Sequence, residues 1–386
     1  MDTRTGLPVV GMVGGGQLAR MSHQAAIALG QSLRVLAVAP DDGAALVAAD
    51  TRIGSHTDLE ALRAFAEGCD VVTFDHEHVP SGHLAALVAD GYNIQPSGAA
   101  LRYAQDKGAM RERLAGLGVP VPHWRPVASA ADIEAFAVEV GGWPVIAKAI
   151  TGGYDGRGVW LLDSPEEAAA LIATGTDLIV EERVGLRREL AAMVARSPWG
   201  QVAAYPIVET VQRDGICVEV LAPAPGLADN RALVAQGLAI RIARELDVTG
   251  VLAVELFETV SGDLVVNELA MRPHNSGHWT IEGAVTSQFE QHLRAVLDYP
   301  LGATTPVAPA VAMANVLGGQ TGGMSLDERL HHLFAADPGA RVHLYGKQIR
   351  PGRKVGHVTV LGTDMDEVRG RANRAARWLR EGRSGD

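Results

Sequence analysis

The chain has 386 residues, of which 47% are hydrophobic and 20% are charged, so we expect two or three folded domains rather than a disordered chain. Its formal net charge of −11 argues against a nucleic-acid-binding protein, because such proteins present basic surfaces to phosphates. Without a membrane-length apolar run, a signal-peptide pattern or cysteines at metal-type spacing, the chain is predicted to be cytoplasmic, with Cys69 and Cys217 as free thiols.

The first ~100 residues alternate short apolar runs with a helical stretch, which is typical of an α/β domain. We expect strands at residues 7–13, 33–39 and 71–74, and a helix at residues 17–29. Helical connections between consecutive strands predict a parallel, doubly wound sheet.

Three glycines at residues 14–16 join the first strand to this helix in a GxGxxA pattern. Asp41 and Asp42 follow about 25 residues later, as in dinucleotide-binding turns. The pattern alone indicates an anion at the helix N-terminus better than it indicates a nicotinamide cofactor.

The middle of the chain begins with a charged stretch, residues 101–118, which we predict to be one helix. A strand at residues 144–150 carries Lys148 among apolar residues, and a buried lysine requires an anionic partner. That partner is either a phosphate or a structural carboxylate. The next loop, residues 151–158, contains four glycines, whose backbone N–H groups can approach phosphate oxygens; a flexible turn is the alternative.

A β-hairpin is predicted at residues 250–269, with its turn centred between residues 261 and 262. This register places Glu255 opposite Glu268, with Cβ atoms about 4.5–5.5 Å apart. Such a pair suits Mg²⁺, which is usually held by one or two carboxylates together with substrate phosphates. The alternative is one solvated glutamate and one paired with a lysine. Strand alternation directs Asn267 away from the Glu268 face, so a shared role requires a bulge or a strand end.

Two polar clusters follow the hairpin. Residues 272–279 contain an arginine, two histidines and an asparagine, a set that can hold an oxyanion or a small planar acid. No HExxH pattern surrounds His274 and His278, so we do not expect a metal there. A basic cluster further along suits either a substrate phosphate or a solvated surface. It consists of Lys347, Arg350, Arg353 and Lys354.

In chain order, these features resemble the ATP-grasp superfamily. Within it the chain is similar to the N5-carboxyaminoimidazole ribonucleotide synthases of purine biosynthesis, over residues 14–357. The segments that carry the resemblance include GGGQLARM, GGYDGRG, GVLAVELF, PHNSGHWT and GRKVGH.

The resemblance implies an α/β fold of the ATP-grasp type in three parts. A Rossmann-like domain, similar to the N-terminal domain of biotin carboxylase, would cover residues 1–107. The ATP-grasp domain would cover residues 108–301, with a mobile subdomain at about 120–185. A small α+β domain at residues 302–386 would complete the substrate site.

The implied reaction joins bicarbonate to 5-aminoimidazole ribonucleotide through carboxyphosphate, with conversion of ATP to ADP and phosphate and with Mg²⁺ as cofactor. The resemblance also implies a homodimer that has no nucleic-acid or membrane partner and passes its product to a separate mutase. A formate-using ATP-grasp ligase is a rival within the superfamily. A nicotinamide dehydrogenase and an inactive nucleotide sensor are rivals from other classes.

For ATP, the resemblance implies that lysines and a mobile glycine-rich loop hold the phosphates, that a hinge recognises adenine, and that Glu189 binds the ribose. The implied ATP-binding residues are Lys107, Lys148, Gly153, Tyr154, Asp155, Gly156, Arg157, Gly158, Val159, Glu181, Glu182, Arg183, Val184, Glu189, Asn267 and Glu268. The implied magnesium ligands are Glu255 and Glu268.

The remaining residues are assigned to the second substrate and to the reacting centre. The implied ribonucleotide-binding residues are Gln17, Leu18, Glu77, Lys347, Arg353 and Lys354. The implied catalytic residues are Tyr154, Asp155, Arg157, Arg272, His274 and Asn275, with Arg272 as the carboxyphosphate clamp and either His274 or Asp155 as the acceptor of the amine proton. Met271 and Gln212 depart from the family pattern, and Gln212 is therefore left unassigned.

Overall fold

The computed structural model describes residues 1–153, 156–319 and 323–382. The N-terminal part is a four-stranded parallel sheet in the order β3-β2-β1-β4, as predicted for its three apolar strands. The fourth strand, β3, was not predicted, because three of its four residues are polar and all four are half-exposed or exposed. The elements are β1 (Val9–Val13), α1 (Gln17–Ala28), β2 (Ser32–Ala37), β3 (Asp50–Ile53), α2 (Leu59–Ala66), β4 (Val71–Phe74) and α3 (Ser81–Ala89).

Two helices, not one, follow this sheet: α4 (Gly98–Gln105) and α5 (Lys107–Gly116). The prediction of a single helix at residues 101–118 is wrong because Asp106 has an extended backbone, with φ −123° and ψ 106°. Its carboxylate accepts a hydrogen bond from the Ala109 N–H at 2.8 Å and caps the start of α5. Lys107 is therefore the first residue of a new helix.

A small antiparallel sheet in the order β5-β8-β6-β7 comes next. Its strands and helices share an apolar core that includes Phe136, Val145 and Val180. Lys148 lies on β6, in the strand predicted for it. The elements are β5 (Trp124–Val127), α6 (Ala130–Glu139), β6 (Val145–Ala149), β7 (Val159–Leu162), α7 (Pro165–Ile172) and β8 (Leu178–Glu182).

The largest sheet has nine strands, all joined by antiparallel pairs, in the order β14-β13-β9-β11-β12-β15-β17-β16, with β10 paired to β9. Its first part is formed by strands β9 (Leu186–Arg196), β10 (Val202–Ala204), β11 (Val208–Arg213), β12 (Ile216–Ala222), β13 (Gly250–Thr259) and β14 (Leu264–Ala270). Helix α8 (Asp229–Glu245) connects β12 to β13. Short helices α9 (Thr280–Gly283) and α10 (Gln288–Val296) follow.

The C-terminal strands continue this sheet through antiparallel pairing of β15 with β12. They are β15 (Ala310–Leu317), β16 (Arg341–Leu344) and β17 (Lys354–Gly362), accompanied by α11 (Leu326–Ala336) and α12 (Met365–Glu381). We propose the domain limits 1–107, 108–301 and 302–386, with a subdomain at about 120–185, which the separate small sheet supports. None of the helices in the described ranges is long and apolar enough to cross a membrane.

Candidate active site

A cleft of about 1330 Å³ is lined by strands of the small and the large sheets and by the segments that follow β1 and β4 of the N-terminal sheet. It brings together most of the predicted residues that the structure describes. These are Gln17, Leu18, Glu77, Lys107, Lys148, Gly153, Gly156, Val159, Glu181, Glu182, Arg183, Val184, Glu189, Glu255, Asn267, Glu268, Arg272, His274, Asn275 and Lys354. Tyr154 and Asp155 lie outside the described residues.

Four predicted residues do not line this cleft: Arg157, Gly158, Lys347 and Arg353. The ammonium group of Lys347 donates to the side-chain oxygen of Gln17, which does line it. Arg353 is exposed and donates to the Gln348 carbonyl oxygen at 3.4 Å. The predicted basic cluster is thus divided, and Lys354 is its member at the cleft wall.

The two glutamates of the hairpin stand directly opposite each other, because Glu255 pairs with Glu268 in the β13–β14 ladder. The predicted turn centre was slightly wrong, since Thr259 N donates to Asp263 O at 2.9 Å and centres the turn on Ser261. The next pair, Leu256 with Val266, skips Asn267, which is therefore the extra residue of a β-bulge. Because of this extra residue, Glu255 faces Glu268 as predicted, although the turn centre differs. The bulge is also the irregularity that a shared role for Asn267 and Glu268 requires.

Lys107 pairs with Glu268, so one glutamate has the lysine partner that the alternative interpretation allowed. The other glutamate is not simply solvated. Burial, followed by the charges of Glu268 and Glu189, raises the pKa of Glu255 to about 7. Two carboxylates that face each other, one of them a buried group whose raised pKa a bound cation would lower, form with the amide oxygen of Asn267 a donor set that fits Mg²⁺.

Lys148 is buried, and burial lowers the pKa of its ammonium group. Its Nζ lies 2.7 Å from Glu181 Oε2 and donates to Asn267 Oδ1 at 3.0 Å. The structural carboxylate considered for Lys148 is therefore present, and it is Glu181, which is 2% exposed. The lysine is held at the cleft wall, where a phosphate can approach it.

Part of the cleft wall is formed where β8 leaves the small sheet, at Glu182, Arg183 and Val184. Glu182 Oε1 accepts from the His123 N–H at 2.8 Å, which fixes this turn of the chain. Burial raises the pKa of Glu189, whose carboxylate is hydrogen-bonded by Gln212. Gln212 also lines the cleft. The residue that was left unassigned because it departs from the family pattern is therefore part of the site.

The glycines at residues 14–16 accommodate a carboxylate of the protein itself. Asp75 Oδ2 accepts from the Gly16 N–H at 2.7 Å, at the N-terminus of α1. A Cβ atom at Gly14 would lie 1.7 Å from Asp75 Oδ1, and one at Gly16 would lie 2.7 Å from Oδ2. Burial raises the pKa of Asp75 to about 6. The anion indicated by the glycine pattern is thus a side chain, and Asp75, which lines the cleft, was not predicted as a site residue.

Two further groups of the cleft, Arg272 and His274, are held by neighbouring residues. Glu77 Oε2 pairs with Arg272 Nε at 2.7 Å, and Glu77 Oε1 accepts from Met271 N at 3.3 Å. His274 Nε2 lies 3.3 Å from Glu255 Oε1, and its Nδ1 accepts from the Ser276 N–H at 3.4 Å. Burial, followed by the charges of Arg272 and Lys354, lowers the pKa of His274 to about 3. The imidazole is therefore neutral.

Three family models match consecutive parts of the chain: a ribonucleotide synthetase preATP-grasp domain at residues 7–105, an ATP-grasp domain at residues 112–289, and a phosphoribosylaminoimidazole carboxylase C-terminal domain at residues 311–371. The N5-carboxyaminoimidazole ribonucleotide synthase of Mycobacterium tuberculosis is 62% identical over 381 residues, which cover 97% of this chain and 89% of that protein.

Solved structures agree with this match. The synthetase from Thermus thermophilus has a TM-score of 0.86 and 38% identity, and the alignment covers 98% of this chain and 100% of that one. The Aspergillus clavatus synthase, solved with ADP and 5-aminoimidazole ribonucleotide, has a TM-score of 0.86 and 34% identity over 96% of this chain and 98% of that one. The resemblance drawn from the ordered motifs is confirmed, and the chain belongs to the N5-carboxyaminoimidazole ribonucleotide synthase family of ATP-grasp enzymes.

Proposed function

We propose that the chain joins bicarbonate to 5-aminoimidazole ribonucleotide, forming N5-carboxyaminoimidazole ribonucleotide, ADP and phosphate in de novo purine biosynthesis. One observation carries the proposal: a single cleft contains both the lysine and glutamate groups suited to ATP and the separate cluster around Arg272 suited to a second, anionic substrate. The relative from Aspergillus clavatus, solved with both kinds of ligand, supports this division.

The nucleotide end of the cleft is proposed to hold ATP through the predicted set of residues. Lys107 and Lys148 would contact the phosphates, the glycine-rich loop would cover them, Arg183 and Val184 would read adenine through their backbone groups, and Glu189 would bind the ribose. Glu255 and Glu268, with Asn267 beside them, would hold Mg²⁺, which supplies neutralisation of phosphate charge during transfer.

The opposite end is proposed to bind the ribonucleotide. Gln17, Leu18 and Glu77 would meet its sugar and base. Its 5′-phosphate would be held by Lys347, Arg353 and Lys354, of which Lys354 lines the cleft. Arg272, His274 and Asn275, together with Tyr154, Asp155 and Arg157 of the loop, would surround the reacting atoms.

Bicarbonate is a weak electrophile, and phosphoryl transfer from ATP converts it into carboxyphosphate, a reactive mixed anhydride. Arg272, which is fixed by Glu77, would hold the anionic intermediate while the closed site excludes water. The exocyclic amine then forms the new C–N bond, either with carboxyphosphate as its bond to phosphate breaks or with CO₂ released from it, and the departing phosphate can take the amine proton. Because its pKa is lowered to about 3, His274 is a poor base and is better suited to orienting the reactants.

From the family we further propose a homodimer in the cytoplasm that passes its product to a separate mutase. The free thiols of Cys69 and Cys217 are compatible with a reducing compartment.

The test is ADP release by the purified protein with Mg-ATP, with each substrate omitted in turn. We expect release to require both bicarbonate and 5-aminoimidazole ribonucleotide, and labelled bicarbonate to enter the ribonucleotide in equal amount. Release supported by formate in place of bicarbonate would instead identify the rival ligase. Absence of release with every substrate present would identify a nucleotide sensor.

A further inference from the structure

Arg111 is completely buried and makes three hydrogen bonds to groups that adjoin the cleft. Its Nε donates to Glu181 Oε1 at 2.6 Å, its Nη1 to the Val266 carbonyl oxygen at 3.1 Å, and its Nη2 to the Asn267 carbonyl oxygen at 2.7 Å. Since Arg111 is 0% exposed and does not line the cleft, it does not touch a bound ligand. Its contacts act on other residues.

Two of these contacts are with the β-bulge of β14. β14 is an edge strand of the large sheet, and the Val266 backbone faces away from β13, since its N–H donates to the Pro120 carbonyl oxygen at 2.8 Å. The bulge removes Asn267 from the ladder with β13 and brings its carbonyl within reach of the same guanidinium group. The guanidinium group of Arg111 satisfies the two consecutive carbonyls, of Val266 and Asn267, from one side. A planar fork of donors is suited to this task, whereas a lysine ammonium is a point charge on a flexible stem.

The third contact links the bulge to the lysine strand. Glu181 shares its carboxylate between Arg111 and Lys148, and Lys148 donates in turn to the Asn267 side chain. Arg111, Glu181, Lys148 and Asn267 therefore form a closed ring of interactions. Asn267 is held by both its backbone and its side chain.

The same helix also reaches the neighbouring glutamate. Lys107 and Arg111 are four residues apart in α5, a spacing that places both side chains on one face of a helix. Lys107 pairs with Glu268 while Arg111 holds the preceding residue, Asn267. One helix face thus fixes two consecutive residues of β14.

We infer that Arg111 is a positioning residue that holds the β14 bulge, and so sets Asn267 and Glu268 in the geometry that receives magnesium-bound nucleotide. The inference rests on the proposed function, because that function assigns Mg²⁺ to Glu255 and Glu268. It extends that function to a residue that contacts no substrate.

The test is the magnesium dependence of ADP binding, measured by calorimetry on the full chain, which needs no turnover. For Arg111→Met we expect the magnesium concentration that gives half-maximal tightening of ADP binding to rise by about 10- to 100-fold, the usual cost of losing a residue that orients a metal ligand. Arg111→Lys keeps the charge near Glu181 but cannot satisfy both carbonyls, so an intermediate rise is expected.

Arg329 provides the matched control. It is 6% exposed and donates to the carbonyl oxygens of Leu379 at 2.9 Å and Arg380 at 3.0 Å, in the C-terminal part of the chain. Arg329→Met and Arg329→Lys should lower the melting temperature by a similar amount but leave the magnesium dependence within about twofold of the unsubstituted protein.

A folded Arg111 variant with the magnesium dependence of its Arg329 counterpart would overturn the inference. If Arg111→Met does not fold, Arg111→Lys decides the outcome by the same comparison. Failure of the proposed function has a different signature. The unsubstituted protein would bind ADP with magnesium but would form no ADP from ATP when given bicarbonate and the ribonucleotide.

Discussion

Lys107 and Glu268 form an ion pair that joins the first residue of α5 to β14. Because Lys107 is proposed to hold an ATP phosphate and Glu268 a magnesium ion, this contact connects the two groups that the ligands would separate. Binding of magnesium and nucleotide would exchange one internal ion pair for two contacts with the ligands. Glu268 is thus charge-compensated within the protein by Lys107, whereas burial and the neighbouring carboxylates raise the pKa of Glu255.

Glu268→Gln is expected to abolish magnesium-dependent ADP release, with a fall of about 100-fold or more, because the amide is a much weaker ligand for a hard cation. The fold should persist, since Glu268 is half-exposed and its hydrogen bond with Lys107 can be made by an amide oxygen. Steady-state ADP release and thermal unfolding measure the two effects.

Glu219→Gln is a suitable control for this substitution. Glu219 is buried and pairs with Arg369 at 2.6 Å, but it does not line the cleft. We expect it to cost stability and not activity. Near-normal ADP release by Glu268→Gln, with the usual response to magnesium, would remove Glu268 from the proposed metal site.

Glu255 should make stability fall as pH rises, in the absence of magnesium and nucleotide. Its pKa is raised from 4.5 to about 7, so between these values the unfolded chain has released the proton that the folded chain retains. Raising the pH through this window therefore favours the unfolded state, by at most about 1.4 kcal/mol per pH unit. Below about pH 4.5 and above about pH 7 the contribution of this group should be constant.

The measurement is urea unfolding across this pH range for the unsubstituted protein and for Glu255→Gln. Distant titrating groups contribute equally to both proteins, so the difference between the two curves reports Glu255 together with the carboxylates that interact with it. Magnesium should make the difference in unfolding free energy between the two proteins depend less on pH, because it favours the ionised carboxylate of Glu255. Parallel curves without magnesium would show that Glu255 ionises at its ordinary pKa.

The pairing of Glu255 with Glu268 illustrates what could be predicted from the sequence. Turn residues and strand alternation predicted that these two glutamates face each other, but the turn centres on Ser261, and the pairing holds because the bulge at Asn267 restores the register. The bulge at Asn267 was not predictable from the hairpin alone, because the residue that satisfies its carbonyls, Arg111, comes from a helix more than 150 positions away. The motif order nevertheless identified Asn267 through the family resemblance.

Other misses have the same physical origin. The need of Lys148 for an anionic partner followed from its apolar strand, but the choice of Glu181 depends on the pairing of β6 with β8. Asp75 follows a predicted strand, yet its role depends on how closely β4 approaches the glycines after β1. Contacts between distant segments decided these cases, whereas the parallel sheet and the hairpin followed from local patterns.

His274 is expected to remain neutral from about pH 5 to about pH 8, since burial and two neighbouring cations lower its pKa to about 3. The Ser276 N–H donates to Nδ1 at 3.4 Å, and the Ser276 hydroxyl, 2.9 Å from the same nitrogen, can donate to it as well, so we expect the proton on Nε2, which faces Glu255. Nitrogen NMR of histidine-labelled protein measures both properties, and His274→Asn identifies the signal by its loss. Titration of that signal near pH 6.5 would contradict the neutral imidazole and would reopen His274 as the acceptor of the amine proton.

Lys354 and Arg353 are adjacent in sequence but differ in their relation to the cleft, which separates their predicted roles. Lys354 lines the cleft and is half-buried, whereas Arg353 is exposed and outside the lining. Lys354→Ala should raise the KM for the ribonucleotide about tenfold or more, the cost of one charge-assisted contact with a phosphate, and should change the KM for ATP less than about twofold. Arg353→Ala, at another residue proposed to hold the phosphate, should have a smaller effect on the same constant because Arg353 does not line the cleft. Steady-state kinetics with each substrate varied in turn measures both values.

Equal increases in the two Michaelis constants for Lys354→Ala would exclude a specific contact with the ribonucleotide phosphate. A larger effect from Arg353→Ala than from Lys354→Ala would indicate that residues 350–353 move into the cleft when the substrate binds.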